Sequence, residues 1–192
     1  PAFTKDNWRG AVAYVKSQLQ PAEAVILVSG HAYPAWRYYA PDVEPLRLPA
    51  IETLDVNAVL TLESAAQALN AGLAGTEGAW LVPWQDEVVD PTGVTAFLLD
   101  SAGSEQPTNA AFWGLGQPRH FRWPAGAAIP AEPPALHPVN ANFAGQVTLL
   151  GFSQPPCQPK PDGQPCPLIL FWQALQPLTA DLKLSAYLAD AA

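Results

Sequence analysis

Two short stretches of this chain carry residue types that could do chemistry, Ser29-Gly30-His31 and Trp84-Gln85-Asp86-Glu87, and each follows an apolar run, Val25 to Val28 and Ala79 to Trp84. If those runs are strands of an α/β sheet, both stretches lie at its C-terminal edge, where such folds place ligands. A hydrolase would need Ser29 beside a histidine base that a carboxylate orients. At a spacing of two residues His31 is not expected to turn back onto Ser29, which disfavours nucleophilic catalysis. His31, Tyr33, Trp36 and Arg37 suit a polar, aromatic pocket, or more plainly the closing of one helix onto the sheet edge. Trp84, Asp86 and Glu87 bring an indole and two acids to the same edge. That composition could serve acid/base chemistry, although adjacent loop acids more often face solvent and cap the next helix. The candidate ligand contacts are therefore His31, Tyr33, Arg37, Trp84, Asp86 and Glu87, and no residue is assigned as catalytic.

Other motifs add little. GxxxxGK[ST], GxGxxG, HExxH and GxSxG are all absent, and Gly114-Leu115-Gly116 reads as a turn, so no nucleotide, cofactor or metal site is expected. Of seven tryptophans, Trp8, Trp80 and Trp172 fall on expected core faces, leaving Trp36, Trp84, Trp113 or Trp123 for contact with a sugar face. Arg119, His120 and Arg122 form a small basic cluster that would meet a phosphate or pair with the acidic excess, a solvated strand being the default. The net charge of -8, with 9 Lys plus Arg against 17 Asp plus Glu, repels phosphate backbones and excludes nucleic acid as a partner.

The elements that must position these residues follow from periodicity. Trp8, Ala11, Val12, Val15 and Leu19 keep helical spacing, with Thr4 or Asp6 as cap and Pro21 as stop. After the strand Val25 to Val28 come a short helix, Pro34 to Tyr39, the stretch Leu46 to Leu48, and a long helix placing Val59, Leu62, Ala66, Leu69 and Leu73 on one face. The strand Ala79 to Trp84 precedes a helix with Asp90 as N-cap and Pro91 in its first turn. This alternation predicts a mainly parallel, Rossmann-like, three-layer α/β domain over 1–124, finished by edge strands around Ala111 to Leu115 and His120 to Trp123.

Twelve of the 22 prolines lie between Pro118 and Pro167, and 125–138 reads as a Pro-rich linker or strap. Beyond it, 139–192 reads as a partial β module with strands at Gln146 to Phe152, Leu168 to Gln173 and Leu182 to Leu188. So thin a sheet either docks on the first domain or is the front of a β-sandwich cut off at Ala192. Cys157 and Cys166 share a Pro-rich loop between two of those strands. A hairpin would bring them together, and a disulfide closing that loop contributes roughly 2.5 kcal/mol and implies an oxidising compartment. Two free thiols would instead imply the cytosol, and zinc lacks its other ligands. The chain has no Met and opens on Pro1, which suggests a piece of a longer parent.

Several stretches together resemble a known family. They are Asp6-Asn7-Trp8-Arg9, Arg37-Tyr38-Tyr39-Ala40-Pro41, Ala79 to Pro91, Gly114 to Phe121, Phe143 to Val147, Leu150-Gly151-Phe152 and Phe171 to Leu175. Their pattern resembles the C-terminal soluble domain of bacterial polytopic membrane glycosyltransferases of the GT-C type, related to dolichyl-phosphate-mannose protein mannosyltransferases and aminoarabinose transferases. The resemblance implies a domain on the extracytoplasmic face of the membrane whose partner is the membrane-embedded part of its own chain. The parent would transfer a sugar from a polyprenyl-phosphate carrier, its essential acid lying outside these residues. Here the domain would assist the binding of acceptor or lipid-linked sugar without catalysis of its own. The alternatives are a small secreted hydrolase using Ser29 or the Asp86 and Glu87 carboxylates, and a purely structural or interaction domain.

Overall fold

A computed structural model describes residues 5–131, 137–153 and 168–178. The chain divides into two compact units, Pro1–Glu132 and Pro133–Ala192.

The first unit is a mixed α/β layer structure. Its helix α1 (Trp8–Gln18) begins at Asn7, whose side chain accepts the Gly10 amide at 3.1 Å. Asn7 thus takes the capping role expected of Thr4 or Asp6; Thr4 lies outside the described residues, and Asp6 is engaged elsewhere, as described below. β1 (Glu23–Val28) leads through a 3-10 turn, Gly30–Ala32, into α2 (Tyr33–Tyr39) and the two-residue β2 (Leu46–Arg47). α3 (Leu62–Gly72) follows, its start set by Thr61 and Ser64, whose side chains each accept the other's backbone amide. The helix expected from Val59 onward therefore begins three residues later, and Val59 is 45% exposed. β3 (Gly78–Pro83) is followed by the single turn α4 (Asp86–Val89) and by α5 (Val94–Ala102). Pro91 lies in a turn before α5 rather than in its first turn, and the Asp90 carboxylate caps from a distance, accepting the Val94 and Thr95 amides at 2.6 and 3.0 Å. β4 (Ser104–Gln106) and β5 (Arg119–Arg122) complete the sheet.

The strand order is β2-β1-β3-β5-β4, with β2, β1 and β3 parallel and β5 antiparallel to both β3 and β4. The sheet is therefore mixed, not mainly parallel. No helix links β4 to β5; the chain turns back at the same edge, and a strand entered that way must run antiparallel. Ala111 to Leu115 belongs to this turning segment and forms no strand, so the outer strand is Ser104–Gln106 and β5 is interior.

Both sheet faces are covered, which accounts for the unbroken apolar runs of β1 and β3. Val25, Leu27, Trp80 and Val82 pack with Trp8, Val12 and Val15 of α1 and Trp36 of α2. Ile26, Val28, Ala79, Leu81 and Phe121 pack with α3 and α5 through Ala66, Leu69, Leu98 and Leu99. The chain leaves β1 for β2 on one side, then crosses back over β1 to reach β3; with crossovers of one hand, such a reversal puts α2 and α3 on opposite faces. The segment after β5 stays on this unit as far as Ile129, which is buried in the α3 side of the core and exchanges hydrogen bonds of 2.8 and 2.9 Å with the Asn70 amide. Ile129 lies within 125–138, the segment read as a linker or strap.

The described part of the second unit is a separate antiparallel sheet, β6 (His137–Phe143), β7 (Val147–Ser153) and β8 (Ile169–Ala174) in that order. β6 starts within the segment read as linker. The expected strand Leu182 to Leu188 and the pair Cys157 and Cys166 lie outside the described residues.

Candidate functional site

β1 and β3 are adjacent and parallel, yet the helices that follow them depart to opposite faces, α2 to one and α5 to the other. Such a divergence opens a crevice at the C-terminal ends of the strands. Ser29-Gly30-His31 and Trp84-Gln85-Asp86 are its two walls, and the protein fills it with its own side chains. The backbone ladder continues past the strands: the Trp84 amide donates to Val28 O at 2.5 Å and the Ser29 amide to Trp84 O at 3.1 Å.

The 3-10 turn does what the two-residue spacing was expected to forbid. It returns His31 Nδ1 to within 2.9 Å of Ser29 Oγ. His31 Nε2 lies 3.1 Å from Gln85 Oε1; in the tautomer with its proton on Nε2, the ring donates to Gln85 and Nδ1 accepts a hydrogen bond from the Ser29 hydroxyl. Gln85 reaches this position through a left-handed backbone, φ 52°, at the turn out of β3. Trp84 stacks on the imidazole, with centroids 4.7 Å apart and planes at 25°, and meets Trp8 edge-on at 5.5 Å. Its indole N–H donates to Asp6 Oδ2 at 2.9 Å, which explains why Asp6 is not the helix cap. Ser29 is wholly buried.

The other sequence candidates do not join this cluster. The Tyr33 hydroxyl donates to Glu44 at 3.0 Å, and its ring lies under the guanidinium groups of Arg47 and Arg37, at 4.8 and 5.9 Å. Asp86 and Glu87 are consecutive in the first turn of α4 and so do not face one another. Burial raises the Asp86 carboxyl above its ordinary range, with repulsion from Glu87 and Asp90 adding to it. Burial likewise raises Asp90 despite the amides that cap onto it.

Of the four tryptophans left open for sugar contact, Trp36 and Trp123 are buried and Trp84 is engaged as above. Trp113 is 68% exposed, on the turning segment that binds back to this edge through Asn7 N to Trp113 O at 2.8 Å and Gly116 N to Pro83 O at 3.1 Å. The basic cluster of β5 is neutralised: Arg119 makes a two-pronged pair with Glu105 at 2.8 Å, and His120 meets the buried Glu23 carboxylate at 2.8 Å with Arg122 at 3.8 Å.

Beside this plugged crevice lies an open one that sequence reading missed. An apolar groove of about 620 Å³ runs between β2 with its following turn, residues 58–60, and one side of α3. Small residues at helical spacing, Ser64, Ala68, Ala71 and Gly72, create it, and that spacing was the available sequence signal. The turn at Pro49 packs against Gly30, where an added Cβ would lie 2.1 Å from Pro49 O, so groove and crevice share one sheet edge. Among the described residues no three His, Cys, Asp or Glu side chains converge as a metal site, and no helix is long and apolar enough to cross a membrane. No family model, curated protein or solved structure matches the chain.

Proposed function

We propose that this chain is a non-catalytic accessory domain, carried on the extracytoplasmic side of a membrane glycosyltransferase that uses a lipid-phosphate-linked sugar, where it assists the binding of acceptor or donor. The observation that supports the non-catalytic part is the closed chain Ser29–His31–Gln85. Both imidazole nitrogens are engaged, the serine is inaccessible, and an amide stands where a triad requires a carboxylate. In strand-turn-helix nucleophile elbows the strained turn residue is the nucleophile; here that residue is Gln85, which cannot serve. The secreted-hydrolase reading therefore draws no support from Ser29, nor from Asp86 and Glu87, which diverge. The membrane parent rests on the sequence resemblance. The Rossmann-like character of the three parallel strands belongs to the same proposal, supported by the two crossovers that leave helices on both faces.

Three experiments test it. Sequencing the reading frame on both sides of the chain should reveal several apolar runs of membrane-spanning length upstream; a signal peptide immediately before Pro1 would overturn the accessory role. In the full-length parent, Arg37→Ala, at an exposed position of α2, should weaken substrate affinity without abolishing transfer. Turnover of ester or glycoside substrates by the chain alone would restore the hydrolase.

A further inference from the structure

We propose that Trp113 and Asp6, at the rim of the crevice, bind a neutral pyranose sugar, its C–H face stacked on the exposed indole and one hydroxyl donating to the carboxylate. This deepens the function proposed above and rests on it only for the setting: what the chain meets on donor or acceptor is a sugar ring. The indole is 68% exposed, yet the turn that carries it is firmly held. Trp113 O accepts the Asn7 amide at 2.8 Å, and the Gly116 amide donates to Pro83 O at 3.1 Å. Flanking it, Phe112 lies against Tyr14 at 5.7 Å, and Leu115 packs into the α1 side of the core. A large ring presented on a turn already held in place loses little freedom when a ligand arrives.

Asp6 stands beside this turn. Gly114 has a left-handed backbone, φ 77°, and a methyl added there would strike Asp6 Oδ1, so the carboxylate abuts the residue next to Trp113. Its Oδ2 is taken by the Trp84 N–H at 2.9 Å, while Oδ1 accepts no hydrogen bond among the described residues. One flat ring face and one anionic acceptor narrow the class of ligand. The C–H face of a pyranose is weakly positive and meets the negative face of an aromatic ring, and its hydroxyls donate to carboxylates. A quaternary ammonium calls for a cage of several rings and a Pro-rich peptide for an aromatic-lined groove, whereas no second ring contacts Trp113 among the described residues. A nucleotide would bring phosphates, which the net charge of -8 repels.

The test is an NMR titration, read at amide and indole N–H signals, of the full 192-residue chain with the methyl β-glycosides of glucose, galactose and mannose. Saturable shifts are expected with at least one of them at the Trp113 indole and at the amides of Trp113 to Gly116, with the millimolar affinity that one ring and one acceptor support. Trp113→Ala should weaken binding about tenfold, and Trp113→Phe, which keeps a ring, should restore most of it. Asp6→Asn should weaken it about threefold by exchanging a charged acceptor for a neutral one. Because Trp113 is exposed, its variants should keep the urea midpoint of the unaltered chain, which separates lost binding from lost folding. Xylitol has hydroxyls but no ring and should shift nothing; if it matched the glycosides, or if tetramethylammonium bound more tightly than they do, the sugar would be overturned as occupant. Undiminished binding by Trp113→Ala, or no saturable shift with any of the three glycosides, would overturn the site itself. Either failure would leave the accessory role standing, since the flanking reading frame tests that role separately.

Discussion

The crevice between β1 and β3 and the groove beside β2 lie at the same edge of the same sheet, yet one is closed and the other open. The first is lined by groups that satisfy one another: a hydroxyl, an imidazole, an amide and an indole join through hydrogen bonds and a ring stack. The second is lined by small and aliphatic side chains that leave space beside a two-residue edge strand. Chemically conspicuous residues here act as internal fastenings, whereas the inconspicuous ones leave open space. Polar side chains with mutual partners gain little by meeting a substrate, because they must first give up bonds they already have.

This contrast can be broken most forcefully at Trp84. Trp84→Ala removes the stack on His31, the contact with Trp8 and the bond to Asp6, and should cost about 3 kcal/mol in urea unfolding. Next in size, Gly30→Ala should destabilise by about 2 kcal/mol, because the new methyl would strike the Pro49 carbonyl, a backbone atom that can move only with its whole turn. Since that turn also walls the groove, this variant marks where the two regions touch. Ser29→Ala should cost about 1 kcal/mol by depriving His31 Nδ1 of its hydrogen-bond partner. If unfolding experiments showed it neutral, the crevice would not be the internally satisfied unit described here.

A smaller effect is expected from pH. The folded chain holds the Asp86 and Asp90 protons more tightly than the unfolded chain does, chiefly through burial. Their contribution is complete below the ordinary Asp value, about 3.9, and is lost as pH rises through the higher folded values. Asp86→Asn should therefore flatten the decline in stability on the alkaline side of pH 4, as measured by denaturant midpoints across a pH series. The smallest effect sharpens the other side of the comparison. Ala68→Leu adds apolar contact in open space and should stabilise by about 0.5 kcal/mol, in contrast to the cost of every change in the crevice.

Local features were the legible ones. The helical spacing of Trp8 to Leu19, the apolar runs of β1 and β3, and the position of Ser29-Gly30-His31 and Trp84 just beyond those strands all follow from side-chain periodicity and strand length. The long-range partnerships were not legible. Asp6 lies 78 residues from Trp84, and His31 lies 54 from Gln85, so no local pattern records either pair. The antiparallel entry of β5 was missed because period-two patterning says nothing of strand direction. The helix start was misplaced at Val59 because apolar spacing was weighed above the cap formed by Thr61 and Ser64.

The amino-acid order alone thus determined the α/β alternation, the apolar strands that need cover on both faces, and the net acidic charge. Periodicity and net charge are sums over neighbouring residues and survive without knowledge of contacts. Only the tertiary structure decided that Ser29 and His31 meet, that Gln85 completes their chain, and that the space beside α3 stays open. Those outcomes depend on how a 3-10 turn, a left-handed residue and a glycine let distant backbone segments approach one another. The energy of such an approach comes from packing between elements rather than from any one of them.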